Sequence, residues 1–181
     1  MGGGNEIIID CGAFSGDITM KFAQKVKNYA AIYAFEPDKT NIIGLEKKKA
    51  KIHDLHIVKA ACSDKDGILY FKEQSNSGGS HVTENDGIGV VEVPSKKIDS
   101  VIAGGRCDFI KMDIEGAEWD ALHGAKETII NNKPKLAISI YHSNEDMIRL
   151  IEYIHSLVPE YRLYVRAHTM GIAETILYAM V

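Results

Sequence analysis

Three cysteines, one tryptophan and four prolines in 181 residues leave little from which a cross-linked scaffold could be made. Cys11, Cys62 and Cys107 stand singly, with no C-x-x-C spacing, so neither a disulfide framework nor a structural zinc site is expected, and a reducing compartment fits. No apolar run approaches the roughly 18 residues of a membrane span. The opening Met1-Gly2-Gly3-Gly4-Asn5-Glu6 also lacks the apolar stretch of a signal peptide. A cytoplasmic chain with no membrane partner is the expectation. Charge of one sign is scarce as well. Lys and Arg total 21 against 25 Asp and Glu, and the densest run, Lys47 to Lys51, is interrupted by Ala50. That is no nucleic-acid footprint, and nucleic acid is not expected as a partner. What is present, 45% apolar and 25% charged residues, is the composition of an ordinary folded chain, and the length predicts one domain over 1–181.

Apolar periodicity sets the order of elements. Ile7-Ile8-Ile9 reads as a buried strand running into the turn Asp10-Cys11-Gly12. Ile18, Phe22, Ala23 and Val26 recur at helical spacing, and Ala30 to Phe35 is a second strand ending at Glu36-Pro37. Asp38 can cap the next helix, whose Lys47-Lys48-Lys49 reads as a solvated face. His56 to Cys62 reads as the third strand. Residues 66–93 break the rhythm: Ile68 to Phe71 and Ile88 to Val93 look like strands around a polar loop, Gln74 to Gly87, which predicts a hairpin-like insertion. A short helix at Ile98 to Ile102 precedes a strand, Phe109 to Met112, and one helix is expected through Ala117, Ala121, Leu122, Ala125 and Ile129. Leu136 to Tyr141 is a strand and Glu145 to Leu157 a helix. Arg162 to Arg166 and Glu174 to Val181 form two final strands, joined too briefly for a parallel crossover, so the last must enter antiparallel. The pattern predicts an α/β fold: a mixed, largely parallel sheet with helices on both faces.

Open parallel sheets bind ligands at the carboxyl ends of their strands, so the polar groups at strand ends matter most. Asp10-Cys11-Gly12-Ala13-Phe14-Ser15-Gly16-Asp17 is a glycine turn opening a helix, where a ligand can approach the backbone. Glu36, at the next strand end, can accept hydrogen bonds from both hydroxyls of a ribose. Asp10 stands where dinucleotide sites carry a glycine; a carboxylate there repels a pyrophosphate and suits a cationic amine, such as that of S-adenosylmethionine. Ala61-Cys62-Ser63-Asp64 either places a polar group against adenine or is a turn capped by Ser63 and Asp64. Lys111-Met112-Asp113-Ile114-Glu115-Gly116-Ala117-Glu118 crowds three acids where a strand becomes a helix. Glu118 there reads as helix-start chemistry, and Asp113 as a catalytic or ligand-binding residue.

These residues resemble the FkbM methyltransferases, class I enzymes that use S-adenosylmethionine. The likeness lies in Ile9-Asp10-Cys11-Gly12-Ala13, Phe35-Glu36-Pro37, Ala60-Ala61-Cys62-Ser63-Asp64, Val93-Pro94 with Ile98-Asp99-Ser100, and above all Phe109 to Glu118 with Leu122-His123-Gly124-Ala125. The resemblance implies a Rossmann-like, seven-stranded sheet with an antiparallel last strand and methylation of a hydroxyl oxygen on a sugar or polyketide-type molecule. It implies Asp10 and Gly12 at the methionine end of the donor and Glu36 on its ribose. The candidates for holding the cofactor are Asp10, Gly12, Phe14, Gly16, Glu36, Pro37, Cys62 and Ser63.

Methylating an alcohol requires alignment and a proton acceptor. His142, at the end of the fifth strand, is the expected base and Asp113 its orienter, with the loop Gln74 to Gly87 closing over a small hydroxylated acceptor. A divalent metal is possible but not expected; its ligands would be Asp113, Glu115, His142 and His168. Two other readings stay open: a nucleotide-dependent oxidoreductase of Rossmann type, and a module of the same fold that binds the cofactor without catalysis.

Overall fold

In the computed structural model of the chain, which describes residues 5–26, 28–72, 81–82, 90–171 and 173–181, the Ile7-Ile8-Ile9 run forms β1 (Glu6–Cys11). From Ile8 onward it is buried without a break, as a strand covered on both faces must be. The chain continues through α1 (Asp17–Lys25), β2 (Tyr29–Phe35), α2 (Lys39–Lys49), β3 (Leu55–Val58), β4 (Ala61–Cys62), β5 (Gly67–Lys72), β6 (His81–Val82) and β7 (Val90–Lys96). It ends with α3 (Ile98–Ile102), β8 (Phe109–Met112), α4 (Glu118–His123), α5 (Lys126–Asn132), β9 (Lys135–Ser139), α6 (Asp146–Leu157), β10 (Arg162–Ala167) and β11 (Thr175–Met180).

The main sheet has seven strands in the order β10-β11-β9-β8-β1-β2-β3. All neighbours run parallel except β11, which pairs antiparallel with both β9 and β10. The fold is therefore the expected Rossmann-like α/β sheet with its reversed last strand. After β3 the chain returns to the other side of β1, so the winding reverses between β1 and β8, and the crevice at their carboxyl ends is the place to look for a ligand. One apolar layer joins the sheet to α3, α4, α5 and α6 through Ile98, Leu122, Ile129, Leu150 and Ile154. The other joins it to α1 and α2 through Phe22, Ala23 and Leu45. Asp38 caps α2 as expected, accepting the Asn41 N–H at 2.8 Å.

Three elements differ from the expectation: the third strand, the insertion after it, and the helix expected from Ala117. The third strand does not run to Cys62: it ends at Val58, the Ala60 N–H closes a turn onto the Val58 carbonyl, and Ala61–Cys62 leaves to pair with Ser95 and Lys96 of β7. The insertion is thus more than a hairpin. It forms a second sheet, β4-β7-β5-β6, built on the antiparallel β5–β7 pair. Most of the loop expected over 74–87 lies outside the described residues. The helix expected from Ala117 to Ile129 is broken into α4 and α5 at Gly124, where the Ser63 carbonyl at the end of β4 packs so close that there is no room for a side chain. The Gly124 carbonyl accepts the Asp99 N–H at 2.9 Å. The Asp99 carboxylate in turn caps α5, accepting the N–H groups of Thr128 and Glu127 at 2.8 and 3.1 Å.

A methyl group at Gly124 would collide with backbone, which cannot yield as a flexible side chain does. Gly124→Ala is expected to lower stability by about 1–3 kcal/mol, read as a lower urea midpoint at unchanged slope; an unaltered midpoint would show that the Ser63 strand end moves aside freely.

Candidate active site

The turn after β1 is shaped by left-handed backbone at Gly12 and Gly16, with φ of 74° and 86°, and at Phe14, with φ of 52°. Glycine is required at position 12 because a Cβ there would overlap the Asp113 carbonyl. Phe14 holds its ring in solvent, 66% exposed. Its N–H is fastened to the Glu36 carboxylate at 2.8 Å, and that carboxylate also accepts the Asp38 N–H at 2.9 Å and the Asn41 amide at 3.3 Å. One acid thereby locks the turns after β1 and β2 to each other.

Between these turns opens a cleft of 490 Å³, a size typical of small-ligand sites. Of the residues expected to hold a cofactor, Gly12, Phe14, Glu36, Pro37 and Cys62 line it. Burial pushes the Cys62 thiol well up, helped by Cys11 at 2.9 Å, so it presents a neutral wall. Three candidates lie elsewhere. Gly16 packs on Leu45. The Ser63 hydroxyl donates to Asp64 at 3.1 Å, the turn-capping alternative. Asp10 is fully buried beneath the turn: one oxygen accepts the Thr19 hydroxyl at 2.6 Å and the other lies 3.1 Å from Lys111 Nζ. The acid expected to meet a cationic amine is already paired with a cation, so it supplies no net charge to exclude a phosphate or attract an amine. A wider depression of 1050 Å³ lies at the other end of the sheet, by Tyr29 and Asp54, away from the carboxyl strand ends where such folds bind ligands.

Beyond the cleft floor, Asp113 follows β8 and also lines the cleft. Its Oδ1 accepts the Ser139 hydroxyl at 2.8 Å and the Tyr141 phenol at 3.3 Å. The chain then turns through left-handed Glu115 and Gly116, with φ of 58° and 98°. Glu118, wholly buried, holds this turn by accepting the Ile114 N–H at 2.8 Å and the Gly116 N–H at 3.0 Å. His142 stands over it. Its Nδ1 is 3.0 Å from Glu118, and its Nε2 is 3.6 Å from Asp113 and 3.7 Å from Glu115. Burial alone would lower the imidazole pKa, but the Glu118 contact and the charges of Asp113 and Glu115 outweigh it and raise the pKa above its ordinary value.

Sequence reasoning placed His142 and Asp113 together, and the structure does so too. The partner in close contact, however, is Glu118; Asp113 is beyond hydrogen-bond range and does not orient the ring. Glu118 was readable as a helix-start acid, and half of that reading holds, since it does bind backbone N–H groups. Its approach to His142 depends on the left-handed turn, for which the sequence has no signal but Gly116. His168 does not join the cluster. It sits after β10, two strands from β9 and so about 9–10 Å away at usual strand spacing, with Nε2 on the Tyr178 hydroxyl at 2.8 Å.

A family model described as the methyltransferase FkbM domain matches residues 10–168. The 2-O-methyltransferase NoeI of Sinorhizobium fredii is 23% identical over 147 residues, which are 70% of this chain and 60% of that protein. The crystal structure of an FkbM methyltransferase from Methylobacillus flagellatus superposes with a TM-score of 0.79 at 28% identity, covering 97% of this chain and 43% of its own. SMU.1697c of Streptococcus mutans, in complex with S-adenosylhomocysteine, shares the fold: TM-score 0.60, 11% identity, 98% of this chain and 90% of that one. The chain thus spans 60% of the curated relative and 43% of the FkbM structure.

Lys111 neutralises a carboxylate that has no access to water, while its Nζ also donates to the carbonyls of Cys11 and Gly12 at 3.1 and 2.7 Å. Lys111→Met strands that charge and is expected to cost about 3–5 kcal/mol in urea unfolding, whereas the double change with Asp10→Asn should recover part of the loss; equal losses would show the pair to be uncoupled.

Proposed function

The chain belongs to the FkbM methyltransferase family, and we propose that it transfers a methyl group from S-adenosylmethionine to a hydroxyl oxygen of a small, sugar-like or polyketide-type molecule. The observation that carries this reading is the junction of two half-sites at Asp113, which lines the donor cleft and lies 3.6 Å from His142.

The donor half fits an adenosine-containing ligand. Glu36 accepts two backbone N–H groups from the turns it ties, and its two oxygens retain lone pairs for a pair of ribose hydroxyls. Gly12 lines the cleft between the turns, and Cys62 offers an uncharged wall. Bound there, S-adenosylmethionine supplies a methyl carbon activated by a sulfonium. The protein's part is to hold the acceptor oxygen in line with that carbon and to relieve it of its proton. In this reading Asp113 and His142 handle that hydroxyl, and the hydrogen bonds of Ser139 and Tyr141 to Asp113 support it by fixing the carboxylate. A relative that acts as a 2-O-methyltransferase supports oxygen as the accepting atom.

Calorimetry with S-adenosylhomocysteine tests the donor half. Glu36→Ala should weaken binding at least about tenfold, the value of one charged hydrogen bond, with the melting temperature as a check on folding; unchanged affinity would remove Glu36 from the site. For the acceptor half, Asp113→Asn and His142→Ala should each slow methyl transfer by about a hundredfold or more and leave S-adenosylhomocysteine affinity intact. Full turnover in both would overturn the assignment.

A further inference from the structure

Around His142 the structure gathers more negative charge than it balances. Asp113, Glu115 and Glu118 all approach the ring, and among the described residues no lysine or arginine pairs with any of the three. The His142 side chain is 9% exposed, and both ring nitrogens are buried without an aligned hydrogen-bond partner. Glu118 lies 3.0 Å from Nδ1 but off the line of a ring N–H. Nε2 has only Asp113 and Glu115, at 3.6 and 3.7 Å, too far for a hydrogen bond. Two ligands about 2.1 Å from a shared ion stand about 3.0–3.4 Å apart, so at Nε2 the gaps to Asp113 and Glu115 need close by only a few tenths of an ångström to seat one, while Glu118 holds the ring from the Nδ1 side. One ligand atom from each of Asp113, Glu118 and His142 lies within 4.8 Å of the others.

The surroundings are those of ligands held for an ion. Asp113 is gripped by two hydroxyl donors and Glu118 by two backbone N–H groups. Such donors fix a carboxylate in direction, as groups around metal-binding carboxylates and imidazoles commonly do. We propose that Asp113, Glu115 and His142, through Nε2, hold a divalent cation at the acceptor end of the cleft, with Glu118 orienting the ring from its Nδ1 side. Carboxylate oxygens with one imidazole suit Mn²⁺ or Mg²⁺. The ion's open positions take two neighbouring hydroxyls of a vicinal diol, which names the acceptor class, and lower the pKa of the reacting one. As that oxygen forms its bond to the methyl carbon, the carbon–sulfur electron pair returns to sulfur and the hydroxyl proton passes to water. This role rests on the methyltransferase reading above; the binding of the ion does not.

Mn²⁺ alone is the probe, titrated into the full chain by calorimetry and followed by electron paramagnetic resonance. The wild type should take up one Mn²⁺ per chain, and pulsed measurements on that complex should show nitrogen modulation from a bound imidazole. Asp113→Asn and His142→Ala should weaken uptake about tenfold or more, while Glu160→Gln, in a surface pair with Lys133, should not. No uptake below about 1 mM, absence of nitrogen modulation, or uptake by either variant equal to the wild type would overturn the proposal. S-adenosylhomocysteine binding, measured on the same samples without metal, reports the folding of each variant and tells a failed metal site from a failed donor site.

Discussion

The carboxyl ends of β1 and β8 are drawn together by a single ammonium group. Lys111 faces Asp10 directly across the strand pair, neutralises it, and spends its remaining protons on the carbonyls of Cys11 and Gly12. Neither charge would tolerate the interior alone. Together they bring the Gly12 turn so close to the Asp113 backbone that only glycine fits. The cleft floor follows from that approach: Asp113 is brought to the edge of the cleft because the backbone beneath it has nowhere else to go.

Much of this was legible beforehand. Strand ends are coded by local pattern, so Gly12, Glu36, Asp113 and His142 could be placed at one rim from apolar runs and their polar terminators. The antiparallel closing strand followed from the length of one connection. The split of the third strand and the break between α4 and α5 were not legible, because they go with contacts between distant parts of the chain, β4 with β7 and the Ser63 carbonyl with Gly124, that leave no periodic trace. The pairing of Asp10 with Lys111 was not legible for a related reason. Its partner is fixed by the register of β1 on β8, and composition near Asp10 says nothing of that register. Glu118 was half read, since its local bonds are those of a helix start while its contact with His142 crosses from α4 to the end of β9.

The two halves of the site are built on opposite principles. At the Glu36 end the acid is held by backbone donors of its own turns, one N–H on each oxygen. On the other side three acids converge on one imidazole whose nitrogens lack aligned partners. The first arrangement presents fixed oxygens at a shaped turn; the second concentrates negative charge into an electrostatic well.

The strand order also governs how the protein comes to be folded. Lys111 and Cys11, bonded at the centre of the sheet, are 100 residues apart in the chain. Up to β3 the chain can assemble only one side of the sheet, leaving β1 with an open edge, and the far side begins with β8. Closure over so long a loop is slow, and the open edge is exposed to stray pairing until it happens. A ligand cannot assist that closure early, because the floor of its cleft arrives with the same strand; it can only hold the finished sheet shut, so that its grip is felt in the rate of opening and not in the rate of assembly.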